Sequence, residues 1–126
     1  IANTVATIVT WTTQDFDVGE LIDISGGPTL ITIPANGAGL YLITANVEFQ
    51  GTGATYCKAY ITAPAGNTVA SQSSHSNVIT INTLLSLAII VPLVATSTIT
   101  LAVQHNHGSN LNLLAAGTTL QAVKLI

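Results

Sequence analysis

The side chains of this 126-residue chain whose types and spacing could do chemistry are few, and they gather in two places. The first is Gln104-His105-Asn106-His107-Gly108. On an extended backbone, side chains two apart share a side, so His105 and His107 point together, in phase with Ile99, Leu101 and Val103. Imidazoles spaced this way can ligate a transition metal, and three-fold symmetry among copies would multiply the ligands. The plainer reading is that the strand leaves the core near Gln104, with both histidines solvated or hydrogen-bonded at a loop mouth. No Cys or carboxylate lies nearby in sequence, so the plainer reading is the expectation. The second place is the acidic run Asp15, Asp17, Glu20 and Asp23, led by the close pair Asp15 and Asp17. Such oxygens could hold Ca²⁺, but no EF-hand spacing is present and a solvated acidic loop is the commoner outcome.

Beyond these there is little on which to build a reaction. The chain has no Gly-x-Ser-x-Gly elbow, no paired catalytic carboxylates, no phosphate-cradling Gly loop and no dinucleotide fingerprint. A non-enzymatic protein without a resident cofactor is therefore expected. Cys57 is the single cysteine, which excludes an internal disulfide; between Tyr56 and Lys58 it reads as a small buried hydrophobe. Trp11 reads as a core or interface anchor, and His75 as an exposed loop residue.

The elements that must position these residues are strands. In Gly39 to Phe49, Tyr41, Ile43, Ala45, Val47 and Phe49 alternate with Thr44, Asn46 and Glu48, which gives one apolar and one wetter face. Leu40 and Leu42 break the scheme by adding apolar groups to the outward face. In 56–61, Cys57, Ala59 and Ile61 share one face and Tyr56, Lys58 and Tyr60 the other. Further strands are expected at 5–12, 21–25, 29–33, 68–73, 77–80, 84–91, 99–105, 111–115 and 118–125. Turn chemistry separates them, as in Gly26-Gly27-Pro28, Pro34-Ala35-Asn36-Gly37, Gly51-Thr52-Gly53 and Gly108-Ser109-Asn110. No helix is expected, because β-branched residues are dense and apolar spacing of three and four is absent outside continuous runs. Many short strands at this rhythm predict one all-β sandwich or barrel over residues 1–126, with a jelly roll among the options.

Composition adds the strongest constraint. Hydrophobic residues are 48% of the chain and charged residues 6%, with mean hydropathy +0.61. A single domain of this size cannot hide that much apolar surface, so self-association is expected. The net charge of −3 leaves only two lysines, too few for the cationic face that nucleic acid or an anionic membrane surface requires. The longest apolar stretch, Leu84 to Ala95, is shorter than the about 20 residues of a spanning helix, and Pro92 interrupts it. The first residues, Ile1-Ala2-Asn3-Thr4, carry no basic segment or cleavage site, and the absence of an initial Met suits a processed or excised fragment.

The stretch Ile31-Thr32-Ile33-Pro34, followed by Gly39-Leu40-Tyr41-Leu42-Ile43 and Ala45-Asn46-Val47-Glu48-Phe49, resembles the C1q/TNF-like superfamily. A strand there ends in a Pro or Gly turn, and the next opens with Gly-Leu-Tyr. More weakly, Trp11 to Phe16 resembles an early strand and loop of that fold. Ile99 to Val103 is similar to its penultimate strand, and Thr118 to Ile126 to its closing strand near the three-fold axis. Thr96-Ser97-Thr98 stands where many relatives carry a Gly-Asp turn. The resemblance implies a jelly roll of about ten antiparallel strands, assembled as a homotrimer that buries Leu40, Leu42, Tyr56 and Tyr60 on one sheet face. The Thr/Asn/Ser/Ala surface is most similar to head domains of bacteriophage or bacterial surface fibres.

On this reading the domain is extracellular or on a virion surface and recognises a glycan or protein receptor through its loops, since loops vary without disturbing sheets. The residues expected at the receptor are Gly51, Thr52, Gly53, Ser74, His75, Asn106, Ser109 and Asn110. Two other roles are open: a purely structural trimerisation cap or capsid decoration, and a secreted C1q-like binding module on a collagen-like stem.

Overall fold

A computed structural model describes residues 7–10, 30–50, 56–64, 67–74, 82–106, 113–114 and 117–126. Among them are eight strands: β1 (Thr7–Ile8), β2 (Ile31–Thr32), β3 (Gly39–Phe49), β4 (Cys57–Thr62), β5 (Thr68–Ser74), β6 (Thr83–Leu93), β7 (Thr98–His105) and β8 (Thr119–Lys124). The fold is all-β, with no α-helix among the described residues, and every strand pairing is antiparallel. The expected strands 21–25 and 77–80 lie outside the described residues. Of 111–115 only Leu113 and Leu114 are described, and Leu113 makes an isolated bridge to Phe49.

Two sheets form. In one, β7 is central, with β1 and β2 along one edge and β4 then β5 on the other; in the second, β3 is central between β6 and β8. The chain passes between sheets at almost every step from β3 to β8, and β5 and β6 lie next to each other where the sheets meet. A side-chain amide stitches that seam: Ser86 N donates to Gln72 Oε1 at 2.9 Å.

The alternation read from β3 is the alternation it adopts. Tyr41, Ile43, Ala45, Val47 and Phe49 are buried, and so are their neighbours across the ladder, Leu85 and Leu87. From the other sheet Cys57, Ala59, Ile61, Ile99, Leu101 and Val103 close on them to make one core. A strand with one buried face cannot slip by one residue without turning its apolar row to water, which fixes the β3 register over its whole length.

The motif after Pro34 has a local explanation. Gly37 N donates to the Pro34 carbonyl at 3.0 Å, and the buried Tyr41 hydroxyl donates to the Gly37 carbonyl at 2.6 Å. A Cβ on Gly37 would lie 2.7 Å from the Pro34 ring, so this turn closes only on glycine. Gly39 is constrained by the chain end: a Cβ there would run into the Ile126 carbonyl and the Lys124 stem. Leu40 N donates to Ile126 O at 3.0 Å and Leu125 N to Leu40 O at 2.7 Å, so the closing residues lie directly on this motif.

Two expectations need correction. Pro92 does not interrupt its apolar stretch, because β6 runs through it to Leu93. Pro92 sits opposite Leu40, whose N–H and C=O both bond toward β8, so the ring nitrogen faces away from β3. A proline is tolerated at such a place on an edge strand because no ladder hydrogen bond is lost. The four residues expected on a single sheet face are also divided. Leu40 and Leu42 lie on the outer face of the β6–β3–β8 sheet, whereas Tyr56 and Tyr60 belong to the outward side of β4 in the other sheet. Alternation assigns residues to the two sides of one strand but carries no information about which sheet the strand joins.

Candidate functional site

The strand ends that flank three of the segments expected at a receptor lie at one end of the sandwich. Cys57 stands opposite both Ser74 and His105, and Phe49 stands opposite Thr83. The Cys57 thiol also hydrogen-bonds the Thr83 side chain, joining the two sheets at this end. The segments 50–56, 74–82 and 106–113 therefore all start and finish on anchors that lie together. Leu113 extends the cluster through its bridge to Phe49.

The anchors are held by polar contacts that local sequence does not reveal. Tyr56 N donates to Asn106 Oδ1 at 2.7 Å and Asn106 N to the Tyr56 carbonyl at 3.3 Å, which ties the start of β4 to the end of β7. Asn82 Nδ2 donates to Glu48 Oε2 at 3.2 Å. Leu114 N donates to the Glu48 carbonyl at 2.8 Å. Of the residues expected at a receptor, Asn106 thus bonds internally, and Ser74 is half-buried on the inner side opposite Cys57. Gly51, Thr52, Gly53, His75, Ser109 and Asn110 lie outside the described residues, as do His107, Asp15 and Asp17.

His105 overturns the plainer reading of its cluster. The strand does not leave the core at Gln104; β7 continues through His105, whose side chain is fully buried beneath the loop anchors. Its phase with Leu101 and Val103 is the phase expected of one continuous strand. The neighbour it gains is Cys57, directly across the ladder and 2% exposed. Nothing in the sequence around either residue signals that pairing, since it is set by how β4 and β7 align. Burial pushes the Cys57 thiol above its ordinary range, partly offset by its Thr83 hydrogen bond. A protonated, buried thiol is a poor nucleophile and a poor ligand. Among the described residues no group of three or more His, Cys, Asp or Glu side chains is placed to hold a metal ion.

The outward faces of the two sheets form the rest of the candidate surface. On β4 and β7, the Tyr60 hydroxyl donates to Gln104 Oε1, the Thr62 and Thr100 hydroxyls bond each other, and Lys58 Nζ lies 4.9 Å over the Tyr60 ring. On the other sheet, the ladder sets Leu42 between Ile90 and Val123, and Leu40 between Pro92 and Leu125. Farther along that face the side chains turn polar. Thr44 Oγ1 donates to Gln121 Oε1 at 3.4 Å, Asn46 Nδ2 to Thr119 Oγ1 at 3.2 Å, and Ser86 Oγ to Asn46 Oδ1 at 2.7 Å.

No helix among the described residues is long and apolar enough to cross a membrane. Compared with known proteins, the chain matches no family model and no curated protein.

Proposed function

We propose that this chain is the non-enzymatic head domain of a fibre displayed outside a cell or on a virion. In this reading it is a C1q/TNF-like jelly roll, assembles as a homotrimer, and recognises a glycan or protein receptor with the loops at the Phe49 end. One observation carries the functional part: the anchors of the three loops nominated for recognition converge at a single end of the sandwich. A scaffold that gathers loops on rigid strand ends is the usual way a β sandwich builds a binding surface. Strands that alternate between two antiparallel sheets support the jelly roll. Exposed Ile90, Val94, Val123, Leu125 and Ile126, with Glu48, Lys58 and Lys124 the only charged side chains among the described residues, support self-association.

The test is adsorption of the intact protein to glycan arrays and to cells, repeated with Thr52→Trp and Asn110→Trp. The reading expects binding by the wild type and loss in both variants, with the oligomer mass unchanged. Binding that survives both substitutions removes the loops from the site. Absence of any binding favours the second reading, a trimerisation cap or capsid decoration. Asn106 and Ser74 speak for that alternative, because both are used to hold strands together.

A further inference from the structure

We propose that Asn36 is a self-modification site, where the side-chain amide is lost by attack of the next residue's backbone nitrogen. Tyr41 is the positioning residue that sets the rate, by holding the turn closed.

Asn36-Gly37 is the one Asn-Gly step in the chain. Asparagine is among the thermolabile side chains, and a following glycine has no Cβ to shield its nitrogen. The reaction needs only water. Gly37 N attacks Asn36 Cγ; the N–Cγ bond forms, and the Cγ–Nδ2 bond breaks as ammonia leaves with the amide proton. Water then opens the five-membered imide. Cleavage at Cγ leaves aspartate. Cleavage at the main-chain carbonyl leaves isoaspartate, whose backbone runs through the former side chain.

The fold exposes one reacting partner and restrains the other. Ala35 and Asn36 are exposed at the tip of the turn, open to water and to departing ammonia, whereas Gly37 is buried. Gly37 N–H donates to the Pro34 carbonyl at 3.0 Å, and the Gly37 carbonyl accepts the Tyr41 hydroxyl at 2.6 Å. The Pro34 ring fills the space that a Cβ on Gly37 would need. A nitrogen held in this way cannot turn toward Asn36 Cγ until the turn opens. Tyr41 is 3% exposed and stands on β3 between Val91 and Lys124, so both edges of the ladder fix the strand that carries its hydroxyl. The near side is anchored as well: Ile33 N donates to the Ser97 carbonyl at 2.8 Å, and Thr96 N to the Ile33 carbonyl at 2.9 Å. Local opening of the turn therefore limits the rate.

The product matters because of where the turn leads. Isoaspartate adds one backbone carbon between Ala35 and Gly37, just before Gly39 packs on the Ile126 carbonyl and the Lys124 stem. Either product also places a carboxylate at residue 36, where the chain now has a neutral amide.

The test is incubation of the intact protein in mildly alkaline buffer, native and in unfolding urea, followed by peptide mapping. Mapping reads exchange of the Asn36 amide for a hydroxyl, and isoaspartyl methyltransferase labelling reads the rearranged backbone. In the native wild type, conversion should be at least about tenfold slower than in urea. Tyr41→Phe should speed native conversion about tenfold, because the Gly37 carbonyl loses its donor. Tyr60→Phe removes a hydroxyl of the same kind in the other sheet and should change the rate less than about twofold. If Tyr41→Phe loses the circular dichroism of the wild type, Pro34→Ala takes its place with the same expectation, since it removes the ring packed on Gly37. No conversion at Asn36 even in urea overturns the site. Equal native and urea rates overturn the restraint, and a Tyr41→Phe rate no higher than that of Tyr60→Phe overturns the role of Tyr41.

Discussion

The outer faces of the two sheets are built from the same kind of alternation and end in different states. On β4 and β7 the outward side chains are Lys58, Tyr60, Thr62, Thr100, Ala102 and Gln104; they are partly or wholly buried and find partners inside the subunit. Thr100 and Ala102, on the central strand, are 6% and 9% exposed. On β6, β3 and β8 the outward rows near the chain end are Leu, Ile, Val and Pro; Ile90, Val123 and Leu125 remain open to solvent and Leu40 and Leu42 are half-buried. Hydroxyls and amides satisfied locally give a finished surface. Aliphatic rows have no such local remedy, since only removal from water lowers their free energy. The difference marks the second face as the less covered of the two within one subunit.

The interior beneath both faces sets the scale for breaking this contrast. Ile43 is fully buried on β3, directly between the outward Leu42 and Thr44. Replacing it by Ala should destabilise the fold by about 3 kcal/mol in urea titration. By contrast Val123→Ser, on the open face, should change the stability of an isolated subunit by less than about 0.5 kcal/mol while weakening assembly. Equal losses at the two positions would mean that the open face is covered within the subunit.

The polar face is probed through its hydroxyl pair. Thr100→Val removes one partner of the Thr62–Thr100 bond in a partly buried setting and should cost about 1 kcal/mol. The double variant Thr62→Val/Thr100→Val should recover most of that loss, because neither position then holds an unsatisfied group. Additive losses would show that the pair is not the unit that finishes this face.

The same contrast shows what could be read in the sequence. The extent of β3 was legible to the residue, because Gly39 and Phe49 bound an unbroken alternation with one apolar side. The two-sided apolarity of Leu40 and Leu42 was legible too, and it falls on the outward face. Their grouping with Tyr56 and Tyr60 was not, because the sheet to which a strand belongs is decided by pairings of β3 with β6 and β8, and of β4 with β5 and β7. His105 illustrates the same divide. Its phase with Val103 was visible, whereas its burial beside Cys57 depends on a partner 48 residues earlier in the chain. Convergence of the strand ends that flank the three segments, at the Phe49 end, likewise appears only once those pairings are known.

The link between the sheets offers a smaller test. β6 and β7 are joined by a turn in which Ser97 N donates to the Val94 carbonyl at 3.2 Å and Thr96 has φ 67°. A β-branched residue is strained there, at the turn position where glycine is favoured. Thr96→Gly should raise stability by about 1 kcal/mol, the relief outweighing the added freedom of the unfolded chain. Since Thr96 belongs to neither outer face, assembly should be unaffected.

The smallest effect expected is on pH dependence. Burial raises the Cys57 thiol above its ordinary value of 9.0, so the folded chain holds this proton more firmly than the unfolded chain. Its contribution is fully present below that value and is lost as pH rises through the folded-state titration. The urea midpoint should therefore fall as pH rises above 9.0, and fall less in Cys57→Ala. A midpoint with the same alkaline slope in both proteins would remove Cys57 as the cause.

The contrast between the faces can be measured directly as thiol reactivity at one position on each, Ile90→Cys and Ser73→Cys, with the buried Cys57 providing little background. In the assembled protein Ser73→Cys should react with a maleimide at the rate of a free thiol, while Ile90→Cys should be at least about tenfold slower until assembly is diluted away. Equal, fast labelling of both positions at every protein concentration would contradict burial of the β6–β3–β8 face by other copies of the chain.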